Sequence, residues 1–206
     1  RRERYAKILT QKLQREGYTF EEVNDKMFER NYFSMMMVET GDADACITGL
    51  YTKYSNTIKV AKEVVGLQEG YKSFGAMHIL NSKRGPVFIA DTLINRRLDT
   101  DTLVDIARLS DNMVRFFNHV PVMAMVSYSN FGSDKGGSAG HVHDAVARLQ
   151  EMYPDWIVDG EMQVNIALNK DVRDNKYPFS RLKGKDVNTL IFPCLNAANS
   201  SYKMLK

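Results

Sequence analysis

Residues 120 to 150, with the sequence VPVMAMVSYSNFGSDKGGSAGHVHDAVARLQ, constrain the fold more than any other segment. Apolar residues run from Val120 to Val126 and predict a strand, and apolar residues at helical spacing resume at Val142. The connection between them is rich in serine and glycine. Such a loop presents hydroxyl groups and backbone N–H groups to an anion where a helix begins. The alternative interpretation is a mobile surface connection.

Strand-like and helix-like segments alternate along the rest of the chain. Helices are predicted at residues 4–13, 31–39, 55–65 and 100–117, and another follows Thr19, which has Glu22 at capping-box spacing. Apolar runs predict strands at ACITGL (45–50), SFGAMHIL (73–80), PVFIAD (86–91), WIVDGE (156–161) and VNTLIFPCL (187–195). The turn NSKRG predicts a hairpin between the second and third of these runs. The alternation predicts an α/β fold with mostly parallel sheets covered by helices.

Small polar residues follow the predicted strands. In open α/β sheets, ligands lie beyond the carboxyl ends of the strands. The polar positions there are Thr48 and Gly49, Asp91 and Thr92, and residues 127–133, 159–161 and 196–199. They suit a ligand with phosphates and amides, although turns favour the same residue types. For at least one of Asp159 and Glu161, we favour capping of the following helix over catalysis.

Charge and hydropathy exclude several classes of partner. The formal net charge is +3 over 206 residues, and the basic residues are scattered. This balance is too mild to indicate nucleic acid or a membrane surface as a partner. No apolar run approaches the roughly 18 residues of a membrane-spanning helix, and no signal peptide opens the sequence. We therefore expect a cytoplasmic protein.

The histidines and cysteines do not predict a metal site. Cys46 and Cys194 have no second cysteine or clustered histidine at metal-binding spacing. His141 and His143 are two residues apart, which places them on different faces of a helix. The sequence therefore assigns no metal ligands.

Several segments resemble the phosphate acetyl/butyryltransferase family, and more closely the C-terminal phosphotransacetylase-like region of large bacterial NADP-dependent malic enzymes. They are RNYFSMMMVETGDADACITGL, YSNTIKVAKEVVG, GPVFIADT, PVMAMVSYSNFGS, PDWIVDGEMQVNIAL and LKGKDVNTLIFPCLNAANSSYKML. In the transferases proper, two of these segments look like FADCAVNPNP and SYSTKGSG. Here they read IADTLINRRLD and SYSNFGSD, as in the malic-enzyme branch. Where proline is usual, RRLD leaves the helix cap to Asp99 or Thr100.

The resemblance implies an isocitrate/isopropylmalate dehydrogenase-like architecture with two subdomains. Residues 1–62 would be part of the first subdomain, and residues 63–206 would be the second, cut short before its C-terminal segment. A malic domain with a divalent metal (Mg or Mn) and an NADP-binding domain would precede this region in the same polypeptide. The region itself would bind acetyl-CoA as an allosteric signal, without a cofactor of its own, in a homo-oligomer.

The alternative is an active transferase that moves an acyl group between CoA and phosphate. Such chemistry needs a base for the thiol, cations for phosphate and donors for an oxyanion. The transferases' arginine falls on Lys59 here, which keeps the charge but loses the bidentate fork. Their C-terminal segment DLSRGCSDEDIV lies beyond Lys206, so we assign no catalytic residue. The predicted ligand-binding residues are Thr48, Ser55, Lys59, Ser127, Ser129, Ser133 and Asn199.

Overall fold

The protein, described here over residues 1–205 by a computed structural model, divides into two compact units. The first unit extends from Arg1 to Glu69, and the second begins at Gly70. The boundary expected from the resemblance lies a few residues earlier, after residue 62. That boundary, and the assignment of the two parts to subdomains, stay predictions.

The first unit is built from helices. They are α1 (Arg2–Leu13), α2 (Phe20–Lys26), α3 (Arg30–Glu39) and α4 (Tyr54–Val64). Each helix contributes apolar side chains to one core, including Tyr5, Leu9, Val23, Met36 and Val64. Burial of these side chains is the main source of stability for a helical unit of this size. The helices predicted near residues 4–13, 31–39 and 55–65 are confirmed.

The entry into α2 is fixed by a capping box, as the sequence predicts. The Oγ1 atom of Thr19 accepts a hydrogen bond from the Glu22 N–H at 3.3 Å. The Glu22 carboxylate accepts one from the Thr19 N–H at 2.8 Å. This backbone N–H, together with the Thr19 hydroxyl, lowers the pKa of Glu22 below its usual value. The box satisfies N–H groups that have no partner inside the helix.

The predicted strand at residues 45–50 is wrong. This segment has no regular secondary structure and pairs with no strand in the described part of the chain. Its apolar side chains Ile47 and Leu50 are exposed, at 101% and 83%. A short apolar run forms a strand only where a neighbouring strand supplies hydrogen-bond partners. The surrounding unit consists of helices and offers no such edge within the described residues.

A polar cluster links α2, α3 and α4. The Lys26 ammonium donates to Tyr32 Oη and to Glu63 Oε2, both at 2.9 Å, and the Tyr32 hydroxyl donates to the same carboxylate. Burial, then the hydrogen bond to Glu63, raises the pKa of Tyr32 to about 12. Burial alone would raise the pKa of Glu63, but its bonds to Tyr32 and Lys26 outweigh this and lower it. The cluster therefore keeps its charges paired across the neutral pH range.

We expect Tyr32 to ionise near pH 12, well above the ordinary tyrosine value of 10. Because the folded pKa lies above the unfolded one, its contribution to stability is present below pH 10 and is lost between about 10 and 12. Alkaline titration of tyrosinate absorbance, compared between the native protein and Tyr32→Phe, checks this. If the tyrosine titration that disappears in Tyr32→Phe lies near pH 10 rather than near pH 12, the prediction is contradicted.

The second unit contains a mixed sheet. Its strands are β1 (Met77–Ser82), β2 (Gly85–Ala90), β3 (Val122–Val126), β4 (Ile157–Met162) and β5 (Thr189–Ile191). In the described residues their order is β1-β2-β5-β3-β4. β1 and β2 form the predicted antiparallel hairpin, and the other neighbours pair in parallel. The sheet is thus mostly parallel, with one antiparallel edge strand.

Helices cover both faces of this sheet. They are α5 (Thr100–Phe116), α6 (Gly137–Met152), α7 (Val164–Leu168), α8 (Lys170–Lys176) and α9 (Leu195–Leu205). Met123 and Met125 of β3 pack with α5 and α6, whereas Ala124 and Val126 pack in a separate core with α7 and α9. Successive side chains of a strand point to opposite faces, so β3 is buried on both sides.

Some of the helices in this unit agree with the sequence-based predictions, and others were not predicted. Asp99 caps α5, accepting a hydrogen bond from the Thr102 N–H at 2.8 Å, which decides between the two predicted capping residues. The helix expected to follow residues 159–161 is observed as α7. In contrast, α8 and the helical form of residues 195–205 are not predicted from the sequence.

Gly160 permits the closest approach of β4 to β3. Its backbone has φ +152°, and a Cβ atom there would lie 2.5 Å from the Met125 carbonyl oxygen. That distance is far inside van der Waals contact, and the obstacle is backbone, which moves at high cost. A side chain at this position is therefore incompatible with the observed pairing.

We expect Gly160→Ala to reduce the free energy of unfolding by at least about 2 kcal/mol, from steric overlap added to backbone strain. Gly184→Ala is the matched control, because Gly184 also has a positive φ (+73°) but has nothing within 4 Å of its Cβ position. The control should lose only the backbone cost of about 1 kcal/mol. Denaturant unfolding of both variants measures the difference, and equal losses would contradict the steric argument.

Candidate functional site

The segment that joins β3 to α6, residues 127 to 136, is called the serine loop below. It leaves the sheet where the Ser127 N–H donates to the Met162 carbonyl at 2.9 Å. It ends at Gly136, the residue that precedes the first turn of α6. The predicted order of strand, loop and helix is therefore confirmed. The loop lies at the carboxyl end of a central parallel strand, where α/β folds commonly bind ligands.

The structure brings together the three predicted serines of this loop. Ser127 and Ser129 are buried, with 5% and 1% of their surface exposed, whereas Ser133 is exposed. The Ser129 N–H donates to Ser127 Oγ at 3.2 Å, and the Oγ atoms of Ser129 and Ser133 are 2.9 Å apart. Ser133 Oγ also accepts from the Asn130 N–H at 3.0 Å.

A buried carboxylate, that of Glu161, lies beneath the loop. Its side chain is fully buried. Oε1 accepts hydrogen bonds from Ser129 Oγ at 2.9 Å and from the Gly132 N–H at 2.6 Å. Oε2 lies 3.2 Å from Nδ1 of His143, on α6. The backbone carbonyl of Glu161 accepts from the Phe131 N–H at 2.8 Å.

Glu161 reaches this position because β4 contains a bulge. Gly160 pairs with Met125 and Met162 pairs with Val126, so the register passes over Glu161. A bulge adds one unpaired residue to a strand and redirects its side chain. The carboxylate therefore lies under the loop, although neighbouring residues of β4 pack in the cores.

The predicted capping roles of Asp159 and Glu161 are wrong. Both residues lie inside β4, and α7 begins after Gln163 without a side-chain cap. The Asp159 carboxylate instead accepts from Ser180 Oγ at 2.7 Å and from the Arg181 N–H at 2.8 Å. Capping requires a carboxylate next to the first helical residues. Neither side chain is placed there.

The hydrogen-bond directions in the serine loop follow from the buried carboxylate. A carboxylate only accepts, so Ser129 must donate its single hydroxyl hydrogen to Glu161. In the short contact between the two serines, Ser133 is then the donor. In this conformation the Ser129 hydrogen points to Glu161 and the Ser133 hydrogen points to Ser129. Donation by Ser129 or Ser133 to a ligand stays a prediction and requires these hydrogens to turn.

A second carboxylate stabilises the outer part of the loop. The Asp134 carboxylate accepts from the Gly136 N–H at 2.9 Å and from the Tyr128 hydroxyl at 2.8 Å. These two bonds lower the pKa of Asp134, and the same carboxylate raises the pKa of Tyr128. The Asp134 side chain thus connects Tyr128, near the start of the loop, with Gly136 at its end.

Asn199, the last predicted site residue, lies on α9. Its amide donates to the carbonyl of Thr92, just after β2, at 3.2 Å. Thr92 is buried, and its Oγ1 lies 2.7 Å from His78 Nδ1. The structure therefore joins two of the predicted strand-end positions. This contact supports the local fold, and a ligand contact by Asn199 stays a prediction.

The other predicted residues lie in the first unit. Thr48 follows no strand, because residues 45–50 form none, but it lines a pocket of about 570 Å³ with Arg30, Asn31, Ser34 and Thr52. Its hydroxyl donates to Asn31 Oδ1 at 2.6 Å, and the Asn31 amide donates to Thr52 at 3.3 Å. The pocket therefore has an ordered polar wall, and its lining includes both the cationic Arg30 and the anionic Glu29.

Ser55 and Lys59 lie on α4. Ser55 is exposed in the first turn of this helix. The Lys59 side chain is 64% exposed, and its ammonium lies 3.7 Å from Glu63 Oε1, one helical turn away. At this distance and exposure, the ion pair restrains the lysine only weakly. Its proposed contact with a ligand stays a prediction.

Comparison with known proteins identifies the family. The family described as "Phosphate acetyl/butaryl transferase" matches residues 1–206 of the chain. The chain belongs to this family. It is 36% identical over 195 residues to the NADP-dependent malic enzyme of Salmonella typhimurium, a match that covers 94% of the chain and 26% of that protein. It is 33% identical to the phosphate acetyltransferase of Bacillus subtilis, covering 90% of the chain and 57% of that protein.

Solved structures of phosphate acetyl/butaryl transferase relatives have the same fold. A phosphotransacetylase from Streptococcus pyogenes superposes with a TM-score of 0.86 at 28% identity, over 97% of this chain and 62% of that one. The EutD phosphotransacetylase of Staphylococcus aureus gives a TM-score of 0.83 at 28% identity, over 98% and 62%. The chain thus spans about a quarter of the malic enzyme and three fifths of these structures. The resemblance inferred from the sequence is confirmed.

Two further observations describe this family member. Among residues 1–205, no group of three or more His, Cys, Asp or Glu side chains is arranged to hold a metal ion. Across the same residues, the helices are too short or too polar to cross a membrane. His143, considered in the sequence only as half of a metal pair, contacts Glu161 instead.

Sequence reasoning missed the roles of Glu161, His143 and Gly132 in organising the serine loop of this transferase-family chain. In the first unit it missed Arg30 and Asn31, which line the pocket beside Thr48. The available signal was the pair of carboxylates, Asp159 and Glu161, within the largely apolar run WIVDGEM. A charged residue in a buried strand needs donors nearby, which points to the adjacent loop.

Proposed function

We propose that this chain is the acetyl-CoA-sensing regulatory region of an NADP-dependent malic enzyme. The parent reaction would be the oxidative decarboxylation of malate to pyruvate with formation of NADPH. The observation that carries this proposal is the internal closure of the serine loop, in which the Ser129 hydroxyl donates to Glu161 and the Ser133 hydroxyl donates to Ser129. A loop whose donors are held by the protein itself is suited to reversible binding rather than to activating a nucleophile.

The chemistry of acetyl-CoA fits the residues assigned to its binding. The ligand has phosphates and amides, and the exposed Lys59 offers a cation while Ser127, Ser129, Ser133, Thr48, Ser55 and Asn199 offer polar groups. The proposed architecture is isocitrate/isopropylmalate dehydrogenase-like, with subdomains at residues 1–62 and 63–206. The alternation of strands and helices in the second unit supports this assignment.

The cofactors of the parent reaction would bind elsewhere in the polypeptide. NADP and a divalent metal, Mg or Mn, would belong to the NADP-binding and malic domains. The carboxylates of residues 1–205 form no cluster that fits a metal ion, so we assign no metal chemistry to them. The proposed partners are these two domains, further copies of the chain in a homo-oligomer, and acetyl-CoA, in the cytoplasm.

A catalytic phosphate acetyl/butyryltransferase is the second candidate function. One observation favours it: the His143 side chain is 59% exposed and is held by the buried carboxylate of Glu161. A carboxylate that orients an imidazole is the usual arrangement of a general base, which the CoA thiol would need. In this alternative, the chain would exchange an acyl group between CoA and phosphate.

The two functions are distinguished by two activity assays and a measurement of acetyl-CoA binding, all on the full-length natural protein that contains this chain. We expect malate-dependent NADPH formation to change when acetyl-CoA is added, because an effector shifts activity through its different affinity for two states. Acetyl phosphate formation from acetyl-CoA and phosphate is measured in parallel. Acetyl phosphate without NADPH would replace the regulatory proposal with the transferase. Unchanged NADPH formation together with absence of acetyl-CoA binding would reject the regulatory role.

Lys59→Ala should weaken acetyl-CoA binding roughly two- to fivefold, the usual effect of one exposed charge. The loss should shrink at high salt, because exposed charges are screened. Calorimetry measures the acetyl-CoA affinity of the native full-length protein and of the variant. Lys59→Arg should retain binding, because it keeps the positive charge.

The matched control is Lys62→Ala, which removes the same charge from a position of the same helix that is not among the predicted ligand residues. Equal affinities for the native protein and the Lys59 variant, or equal losses for the two alanine variants, would remove Lys59 from the site.

A further inference from the structure

We propose that Glu161 is a positioning residue, which holds the serine loop in its ligand-binding conformation. The inference rests on the proposed acetyl-CoA site and adds a residue to it that binds no ligand itself. Its basis is that one buried side chain, which extends from β4, contacts both the loop and the helix that follows it.

The first contact fixes the middle of the loop. Oε1 of Glu161 binds both the Ser129 hydroxyl and the Gly132 N–H, and the Glu161 carbonyl binds the Phe131 N–H. Phe131 has φ +47°, a left-handed conformation that a residue with a side chain adopts at a cost. The loop shape is therefore not the intrinsic preference of its backbone. The bonds to Glu161 offset that cost and hold the turn.

The second contact joins the carboxylate to α6. Oε2 lies 3.2 Å from Nδ1 of His143, two turns into the helix that begins where the loop ends. The Glu161 carboxylate thus binds the loop at Ser129 and Gly132 and also binds the helix that follows the loop. A shift of Glu161 would therefore change the contacts of both the loop and α6. The charged residue in this buried bulge thus has partners at both of its oxygens.

Substitution by glutamine tests the idea at nearly constant volume. A carboxylate accepts at both oxygens, whereas an amide accepts at one end and donates at the other. In Glu161→Gln, the amide oxygen can still accept from Ser129 and Gly132, and the amide N–H group then faces His143 Nδ1, which must accept in its other tautomer. The loop bonds lose their charged acceptor and are weaker as neutral bonds. The loop should therefore be held less firmly in its conformation.

Asp159→Asn is the matched control. Asp159 is also a buried carboxylate of β4, 7% exposed, and it lies two residues before Glu161. It binds Ser180 and the Arg181 N–H rather than the serine loop. The control therefore reproduces the loss of a buried charge on the same strand. It leaves the contacts of the loop intact.

The experiment measures two quantities in the full-length natural protein: acetyl-CoA affinity by calorimetry and hydrogen exchange of the peptide that covers residues 127–137. In Glu161→Gln we expect about a tenfold or greater loss of affinity, the usual effect of losing a bond to a charged group. Exchange of the peptide should accelerate in the absence of ligand. Asp159→Asn should change affinity by less than about twofold and leave loop exchange unaltered.

His143 provides an independent pair of variants if Glu161→Gln does not fold. His143→Ala removes the donor to Oε2, whereas His143→Gln keeps an N–H donor on a side chain of similar reach. Affinity and loop protection should fall in the alanine variant and recover in the glutamine variant. A merely structural role for these residues would change stability in both His143 variants without this recovery of affinity.

The outcomes separate this inference from the proposed function. If the native protein does not bind acetyl-CoA, the proposed ligand fails, while faster loop exchange in Glu161→Gln alone still supports the positioning role. If the native protein binds and Glu161→Gln binds equally well, with unchanged loop exchange, the positioning role is overturned. Equal effects of Glu161→Gln and Asp159→Asn would overturn it as well.

Discussion

The close parallel pairing of β3 and β4 is the constraint on which the serine loop depends. Because Gly160 has no side chain, β4 lies against the Met125 carbonyl, and the register then passes over Glu161. That bulge turns a carboxylate out of the ladder and under the loop. The serine loop therefore acquires its internal acceptor from the geometry of the sheet, and the sheet is fixed in turn by cores on both faces.

The sequence predicts well those elements whose formation depends on neighbouring residues, and it fails where an element depends on a distant partner. Met123 to Val126 are apolar without alternation, which is typical of a strand covered on both faces, and the structure agrees. The capping box at Thr19 is equally local and is confirmed. In contrast, Ile47 is apolar yet exposed, because strand formation depends on a partner that a helical unit does not supply. A short window cannot reveal that dependence.

The candidate site shows a similar division. The serines cluster as predicted, because one loop brings them together. The role of Glu161 is missed because a bulge changes the direction of a side chain without leaving a mark in the hydrophobic period. His143 is missed for another reason: its partner is 18 residues away and on a different element. Contacts of this kind follow from tertiary packing rather than from spacing.

Membership in the transferase family does not by itself choose between sensing and catalysis, because one fold supports both. The choice depends on where the hydroxyl hydrogens and the imidazole are directed. With Ser129 donating to Glu161, an incoming phosphate must compete with a buried carboxylate for the Ser129 donor. Such competition costs binding energy and favours moderate, reversible affinity, which suits an effector. A transferase would instead gain from a His143 that is free to exchange protons beside the same carboxylate.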